Sequence, residues 1–289
     1  MSAISGRALH YVFKIGDRAK NSFFFRQILG MTVLRHEEFK EGCDAACNGP
    51  YDNRWSKTMV GYGPESSHFV IELTYNYGVS SYEMGNDFGG VVIHSKDILS
   101  RAAEHSYPVK QVAGRAGSLL TSPDGYKFFV IDDQPPANSD PVQSVELNVS
   151  DLKKSRKYWH DLLRMNVLEE SEGSLRLSYG GEQASLQITQ IAEPLNRAKA
   201  YGRIAFAIPT AQQPPLEEAV KAAGGAILTP LITLDTPGKA TVSVVILGDP
   251  DGHEICFVDE EGFGALSQVE PDGAQRLDNY IGKDPFQQK

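Results

Sequence analysis

The chain repeats one order of structural signals four times, and this repetition constrains its fold more than any other feature. The first copy has a strand-like run at residues 9–13, a helix-capping Asp17, an amphipathic helix ending at Gly30, and three further strand-like runs. The third copy keeps this spacing, because the distance from Asp151 to Met165 along the chain equals that from Asp17 to Met31. A repeat of this length indicates a modular architecture.

The second and fourth copies share a turn. Residues 122–125 are Ser-Pro-Asp-Gly and residues 249–252 are Asp-Pro-Asp-Gly, and both sequences favour a hairpin turn. Each turn leads into a closing strand, at 126–131 and 253–258, and each copy opens with a strand followed by a helix. The sequence therefore predicts an α+β protein built from four βαβββ modules.

The length of 289 residues is about two ordinary domains. Residues 134–141 are polar and rich in proline, which is typical of a linker. We predict a first domain over 5–133 from modules one and two, and a second over 142–263 from modules three and four. Residues 264–289 fit no module and are expected either to form a peripheral cap or to be partly mobile. Two modules placed side by side would close a cup-shaped mixed sheet around a shared cavity.

Composition and charge narrow the class of protein. The net charge of -9 argues against a nucleic-acid partner, which excess Lys and Arg would recruit. No apolar run is long enough to span a membrane, and the first residues lack a secretory signal. Three cysteines are too few for a disulfide framework. We expect an intracellular protein, cytoplasmic or mitochondrial, that is not secreted and has no membrane partner.

Several stretches carry a resemblance to a known family. Residues 60–65, 71–78 and 82–85 are similar to a segment of bacterial glyoxalase I, the best-known member of the vicinal oxygen chelate superfamily. Residues 35–57 and 249–257 resemble, more narrowly, the tandem-repeat members of that superfamily. The resemblance implies two tandem glyoxalase-like domains with cup-shaped mixed sheets.

The resemblance also implies a metal site. Glyoxalase I holds octahedral Ni²⁺ or Zn²⁺ with one ligand from the first strand and one from the last strand of each of two modules, and a glutamate moves the proton. The corresponding positions in modules one to four are His10 and Glu72, Gly90 and Phe129, Ser144 and Gln187, and Arg203 and Cys256. Only the first pair has both residue types of the family.

The pairing of modules decides which of these residues meet. If module one pairs with module four, as is frequent in tandem relatives, one cavity presents His10, Glu72, Arg203 and Cys256, with Glu254 on the same strand face. If it pairs with module two, only His10 and Glu72 remain. Two hypotheses stay open: a divalent metal held by His10, Glu72, Glu254 and Cys256, or a buried ion pair between Glu72 and Arg203.

Three residues are candidates for substrate binding. Lys14 and Asn76 fall where glyoxalase I holds the glutamyl group of glutathione, and Arg203 lies in the same cavity. Lys14 replaces the family's arginine and so loses the bidentate contact to a carboxylate. A glutathione adduct is therefore one hypothesis for the ligand, and a solvated lysine at a strand end is the alternative for Lys14.

Cys43 and Cys47 lie in an insert between the second and third strands of module one. Half of a zinc site, with His36 nearby in sequence, is one interpretation, and thiols packed under the insert are the other. The turn residues and Trp55 of this insert suggest a lid over the cavity.

These observations lead to three hypotheses for function. The first is a glyoxalase-domain protein with a degenerate metal site that binds a small metabolite or thiol adduct. The second is a metal-dependent lactoylglutathione lyase acting on the hemithioacetal of methylglyoxal and glutathione, with Glu72 as ligand and base and His10 as ligand. The third is a non-catalytic binding or scaffold protein. A dioxygenase of the same superfamily would need a second histidine that the cavity lacks.

Overall fold

The computed structural model describes residues 3–135, 139–235 and 240–286, in which strands predominate over helices. The strands are β1 (Arg7–Ile15), β2 (Thr32–Phe39), β3 (Trp55–Gly61), β4 (Val70–Asn76), β5 (Phe88–His94), β6 (Lys110–Gln111), β7 (Ser118–Thr121), β8 (Lys127–Ile131), β9 (Val142–Val149), β10 (Asn166–Glu170), β11 (Ser174–Ser178), β12 (Ser185–Gln190), β13 (Arg203–Ile208), β14 (Ala226–Asp235), β15 (Thr241–Gly248) and β16 (Glu254–Asp259). The α-helices are α1 (Arg18–Phe23), α2 (Ile98–Glu104), α3 (Leu152–Arg156), α4 (Gln213–Ala222), α5 (Glu260–Leu266) and α6 (Gly273–Gly282). The predicted α+β class is confirmed. Within the described ranges, no helix is long and apolar enough to cross a membrane.

The strands form two mixed sheets of eight. Sheet one has the order β14-β15-β16-β13-β1-β4-β3-β2, and sheet two has the order β10-β11-β12-β9-β5-β8-β7-β6. Module one therefore shares a sheet with module four, and module two shares one with module three. The predicted domains over 5–133 and 142–263 do not each contain a sheet of their own, since each sheet takes strands from both. The predicted linker and tail extend partly outside the described residues.

The physical reason for this pairing lies in the first strands of the modules. β1 pairs antiparallel with β13, and β5 pairs antiparallel with β9. These contacts join two half-sheets at the edges that each module leaves unpaired, so the exposed backbone donors and acceptors bond to one another. Strand pairing of this kind links residues that are far apart in sequence.

The helices after the first strands begin as the sequence predicted. The Asp17 side chain accepts a hydrogen bond from the Lys20 amide at 3.0 Å, and the Asp151 side chain accepts one from the Lys154 amide at 3.1 Å. Each helix continues into a π-helical turn, Phe24–Ile28 or Lys157–Leu162. The first ends at Gly30, whose φ of 73° is readily adopted by glycine.

Alternation along β1 gives the two faces of sheet one different roles. Tyr11 and Phe13 face a core shared with sheet two, where the Phe13 ring lies 5.2 Å from that of Phe88. His10 and Lys14 point to the opposite side. We call this side of sheet one, which carries His10, Val12 and Lys14 of β1 and the residues beside them in register, the site face.

The C-terminal helices cover part of the site face and one edge of sheet one. The Phe263 ring of α5 lies 6.2 Å from the His10 ring, and α6 packs against β2. The segment after α6 is tied down by Asp284, which accepts a hydrogen bond from buried Arg18 at 2.7 Å. The C-terminal helices thus cover part of the face on which the candidate residues lie.

Candidate functional site

His10 and Glu72, the two residues that the resemblance indicated, come together on the site face. β1 and β4 run parallel, and Glu72 lies beside Val12. Nε2 of His10 is 3.5 Å from Oε2 of Glu72, and both side chains are buried. The Thr74 hydroxyl donates to the other Glu72 oxygen at 3.2 Å. The pair has the residue types that the resemblance implies for two of the family's ligand positions.

A second carboxylate lies behind His10 and was not anticipated from the sequence. Nδ1 of His10 is 2.6 Å from Oε1 of Glu65, and Arg35 donates to the other oxygen of Glu65 at 2.8 Å. The Glu65 side chain has no solvent exposure. Burial would raise the pKa of Glu65, but the charges and hydrogen bonds of Arg35 and His10 hold it below its usual range. His10 is therefore fixed between two glutamates.

Arg203 does not pair with Glu72. Its Nε and Nη2 atoms donate to Oε2 of Glu254 at 3.0 and 2.8 Å, because the two residues are direct neighbours on β13 and β16. Nη1 and Nη2 also donate to the backbone carbonyls of Ala45 and Ala46 at 3.0 and 3.1 Å. The hypothesis of a Glu72–Arg203 ion pair is therefore wrong, and Glu254 is the carboxylate that Arg203 neutralises.

Cys256 lies two residues after Glu254 on β16 and therefore on the same face of the sheet. It pairs in register with Ala205, the neighbour of His10 across β13 and β1. Burial raises the pKa of its thiol to about 11, with Glu72 adding to the increase and Arg203 opposing it. The thiol therefore holds its proton at neutral pH when no metal is bound, and a metal ion binding there would have to displace that proton.

The donor set can now be compared with what a metal needs. Of the four family positions, His10 and Glu72 supply suitable atoms, Arg203 supplies a cation, and Cys256 supplies a neutral thiol. Glu254 is already bonded to Arg203. Among the residues described, no group of three or more His, Cys, Asp and Glu side chains is arranged to hold a metal ion. The residues present do not fit the metal centre of the family.

The insert over residues 40–54 lies against the site face, as expected for a lid. Cys43 and Cys47 are joined in a disulfide, so the expectations of free thiols and of half a zinc site are both wrong. Their spacing of four residues brings the Cα atoms within 5.4 Å. Ala45 between them is buried in an apolar cluster with Ala205 and Phe263. The insert and α5 together fill much of the site face.

Lys14 and Asn76 lie at the mouth beneath this insert. Nζ of Lys14 donates to the carbonyl of Lys199 at 2.8 Å and sits 3.4 Å from the centre of the Tyr201 ring. Burial, with help from nearby arginines, lowers the pKa of Lys14 to about 8. Asn76 exchanges hydrogen bonds with Asn48 of the insert and donates to Tyr82, so its amide is engaged.

Arg197 lies beside Lys14 and Tyr201. The sequence did not indicate it as a site residue, because it lies in a loop without periodicity. Its guanidinium stacks 4.4 Å from the centre of the Tyr201 ring, and Nη2 is 3.6 Å from Oε1 of Glu254. Within the described part of the chain, Nε and Nη2 are buried without a hydrogen-bond partner. The adjoining cavity, lined by Val12, Lys14 and Arg203 among others, measures only about 10 Å³, which is about enough for one water molecule.

The equivalent face of sheet two has a different chemistry. Its family positions are Gly90, Phe129, Ser144 and Gln187, as the sequence indicated. The Arg115 guanidinium lies 3.4 Å from the centre of the Phe129 ring and pairs with Glu146. A stacked ion pair thus occupies the area where a metal would be held.

Fold and site together define a tandem glyoxalase-like protein of the vicinal oxygen chelate type, and comparisons with known proteins agree. A family model described as glyoxalase domain-containing protein 4-like, C-terminal domain, matches residues 151–266. Glyoxalase domain-containing protein 4 of Rattus norvegicus is 51% identical over 97% of this chain and 94% of its own length. The chain belongs to the glyoxalase domain-containing protein 4 family, which confirms the narrower of the two resemblances.

Two further similarities extend the comparison. A protein of Caenorhabditis elegans named Glyoxalase 1 is 47% identical over 97% of this chain and 98% of its own length. The crystal structure of glyoxalase I from Zea mays superposes with a TM-score of 0.69 at 26% identity, covering 89% of this chain and 94% of the maize chain. The fold of the tandem glyoxalases is therefore shared over nearly the whole chain.

Proposed function

We propose that this chain binds a small, negatively charged metabolite of the thiol-adduct class at the site face, and that its metal site is degenerate. The observation that carries the proposal is the excess of positive charge at the mouth. Lys14, Arg197 and Arg203 lie around Glu254, and Asp87 is a second carboxylate close enough to act on Lys14 and Arg197. Among the described residues of this cluster, three cations thus face two carboxylates. Such an excess in a partly buried cleft attracts an anion.

The contacts of these cations suggest how the ligand is held. Nε and Nη2 of Arg197 are buried without a hydrogen-bond partner among the described residues. A guanidinium can bind a carboxylate through two parallel hydrogen bonds from such a pair of atoms. Lys14 adds a second donor close by. The glutamyl carboxylate of a glutathione adduct has the matching charge and geometry.

Entry of the ligand requires the insert over residues 40–54 to move, because the cavity is small. Arg203 holds this insert through the carbonyls of Ala45 and Ala46. A ligand carboxylate is a stronger acceptor than a neutral carbonyl, so it can replace these bonds. Binding and displacement of the insert are thus coupled in this proposal.

A second candidate is lactoylglutathione lyase activity. Two observations favour it: His10 and Glu72 lie together, and relatives carry the names Glyoxalase 1 in Caenorhabditis elegans, at 47% identity, and Lactoylglutathione lyase GLX1 in Arabidopsis thaliana, at 31% identity. The cation Arg203 at a third ligand position counts against it.

Calorimetric titration with S-hexylglutathione tests the binding proposal. We expect saturable binding by the wild-type chain and at least about tenfold weaker binding by Lys14→Met and Arg197→Met. Arg176→Met is the matched control, because it removes an exposed arginine paired with Glu169 at 2.8 Å, far from the site face. Absence of saturable heat with the wild-type chain, or equal loss in the control, would refute the proposal.

Turnover of the hemithioacetal separates the two candidates. The purified chain is assayed without metal and after addition of Ni²⁺ or Zn²⁺. We expect no turnover above that of the same metal in buffer. Turnover that depends on a stoichiometric metal and is lost in Glu72→Gln would establish the lyase and reject the degenerate site.

A further inference from the structure

One large cavity lies away from the site face. It measures about 650 Å³ and is open to solvent between the helix of module three and the C-terminal end of α4. This volume is in the range of small-molecule sites. Its lining is mainly apolar, with Lys154 and Lys157 at the rim, Tyr158 and Leu162 on one wall, and Gly225 and Pro250 on the other. We call it the helix groove.

The repeat provides an internal comparison for the helix groove. Backbone hydrogen bonds identify equivalent residues: Leu29 donates to Phe24 as Leu163 donates to Tyr158, and Tyr107 donates to Ala102 as Gly225 donates to Val220. The residues before Tyr107 and Gly225 share a positive φ, 52° at Ser106 and 70° at Gly224. Phe24 thus corresponds to Tyr158, Tyr107 to Gly225, and Ala102 to Val220.

In the first half of the chain, a tyrosine ring covers the residue that corresponds to Tyr158, and a smaller cavity of about 510 Å³ remains beside it. The Tyr107 ring lies 5.3 Å from the Phe24 ring, and its hydroxyl donates to the carbonyl of Thr121 at 2.6 Å. Phe24 is completely buried. In the second half, Gly225 has no side chain, so no ring covers Tyr158 from that side.

Tyr158 also carries a group that its apolar counterpart lacks. Its side chain is 7% exposed, and its hydroxyl has no hydrogen-bond partner among the described residues. A buried polar atom without a partner is costly, which points to a partner that the chain itself does not supply. A Cβ placed on Gly225 would lie 3.7 Å from Cε2 of Tyr158, so the tyrosine borders the open position.

We propose that the helix groove binds a flat aromatic acid. Its ring takes the place that Tyr107 occupies in the first half and packs beside Tyr158. Its anionic group meets Lys154 and Lys157, which are exposed at the rim. Two carboxylates also line the groove: Asp161 is paired with Arg156 at 3.5 Å, and Asp249 accepts a hydrogen bond from Nε1 of Trp159 at 3.1 Å. Lys154 is 3.6 Å from Asp151, so Lys157 makes the main charge contact.

A double substitution that copies the first half tests this proposal. Gly225→Tyr alone would collide with Val220, because a Cβ there lies 2.8 Å from Cγ1 of that valine. Val220→Ala with Gly225→Tyr copies the Ala102 and Tyr107 combination and places a ring against Tyr158, where the ring of the ligand is proposed to lie. Val220→Ala alone is the matched control, because it keeps the groove open.

The probe is 2-naphthoate, measured by calorimetric titration and by ¹⁹F NMR of protein containing 5-fluorotryptophan. The Trp159 ring lies 6.0 Å from the Tyr158 ring, so its resonance should shift on binding while that of Trp55 does not. We expect saturable binding to the wild-type chain and the Val220→Ala control, and at least about tenfold weaker binding to the double variant. S-hexylglutathione binding should be equal in the control and the double variant.

A second variant tests the proposal if the first double variant does not fold. Lys154→Met with Lys157→Met changes only exposed side chains, and we expect it to weaken 2-naphthoate but not the uncharged 2-naphthol. No saturable binding of 2-naphthoate by the wild-type chain, binding without a shift of the Trp159 resonance, or equal affinity in the lysine variant would overturn the proposal.

Discussion

Glu65→Gln is the substitution that best tests the structure of the candidate site. Glu65 is completely buried and links His10 to Arg35 through two short contacts, 2.6 and 2.8 Å. Glutamine has nearly the same shape but no charge, so it leaves the buried Arg35 guanidinium without a neutralising partner. The packing is otherwise preserved, and the change isolates the electrostatic contribution.

Removing one partner of a buried pair typically costs about 3–5 kcal/mol, because the remaining charge is uncompensated. Unfolding entropy scales with length at about 2.1 cal/mol/K per residue. For 289 residues, this loss corresponds to a fall in Tm of about 5–8 °C. The exposed pair Arg176–Glu169 provides the comparison, since such pairs contribute about 0–1 kcal/mol.

The assay is urea unfolding followed by circular dichroism at two pH values. The pKa of Glu65 is lowered in the folded state, so its contribution is fully present above the unfolded pKa of about 4.3 and is lost as the pH falls through the folded pKa. The difference between wild type and Glu65→Gln should therefore be larger at pH 7 than near pH 3. A difference under about 1 kcal/mol at pH 7, no larger than that of Glu169→Gln, would refute the buried network.

Three further predictions concern other parts of the molecule. Because burial lowers the pKa of Lys14 to about 8, its positive charge is lost as the pH rises through that value, and affinity for S-hexylglutathione should fall about tenfold between pH 7 and pH 9 in calorimetric titrations. The Cys256 thiol, with a pKa raised to about 11, should react with Ellman's reagent at pH 8 at least about a hundredfold more slowly in the folded chain than in urea. Asp284→Asn removes the charge that Arg18 binds at 2.7 Å, so amide hydrogen exchange should accelerate in α6 but not in α4.

Much of the fold could be predicted from the sequence because its signals are local. Asp17 and Asp151 cap helices, and the two Pro-Asp-Gly turns close hairpins with the expected bond from glycine to the first turn residue. Each of these features depends on neighbours within a few residues. The repeat strengthened these predictions, since a weak signal for an element in one module was supported by the same signal in another.

The pairing of modules depends on contacts that sequence patterns do not encode. β1 meets β13 across most of the chain, and its alternation alone would suit several partners equally well. The same limit applies to the site. His10 and Glu72 were found through the resemblance, whereas Glu65 lies in a loop and gives no periodic signal. Arg35 does lie on a strand, at a position that the alternation of β2 places facing the protein interior. A charged residue there could have suggested that Arg35 has a buried carboxylate partner.

The arrangement around His10 also gives this residue contacts that require no metal. In this chain His10 lies between Glu65 and Glu72, and Glu65 in turn neutralises Arg35. Replacing His10 with an apolar residue would remove one polar contact from each of the buried carboxylates Glu65 and Glu72 and leave their negative charges without the imidazole between them. The histidine therefore has a structural role that is independent of a metal. Its presence beside Glu72 is weaker evidence for catalysis than the identity of the two residues suggests, and Arg203 and Cys256 carry more information about what the site face can do.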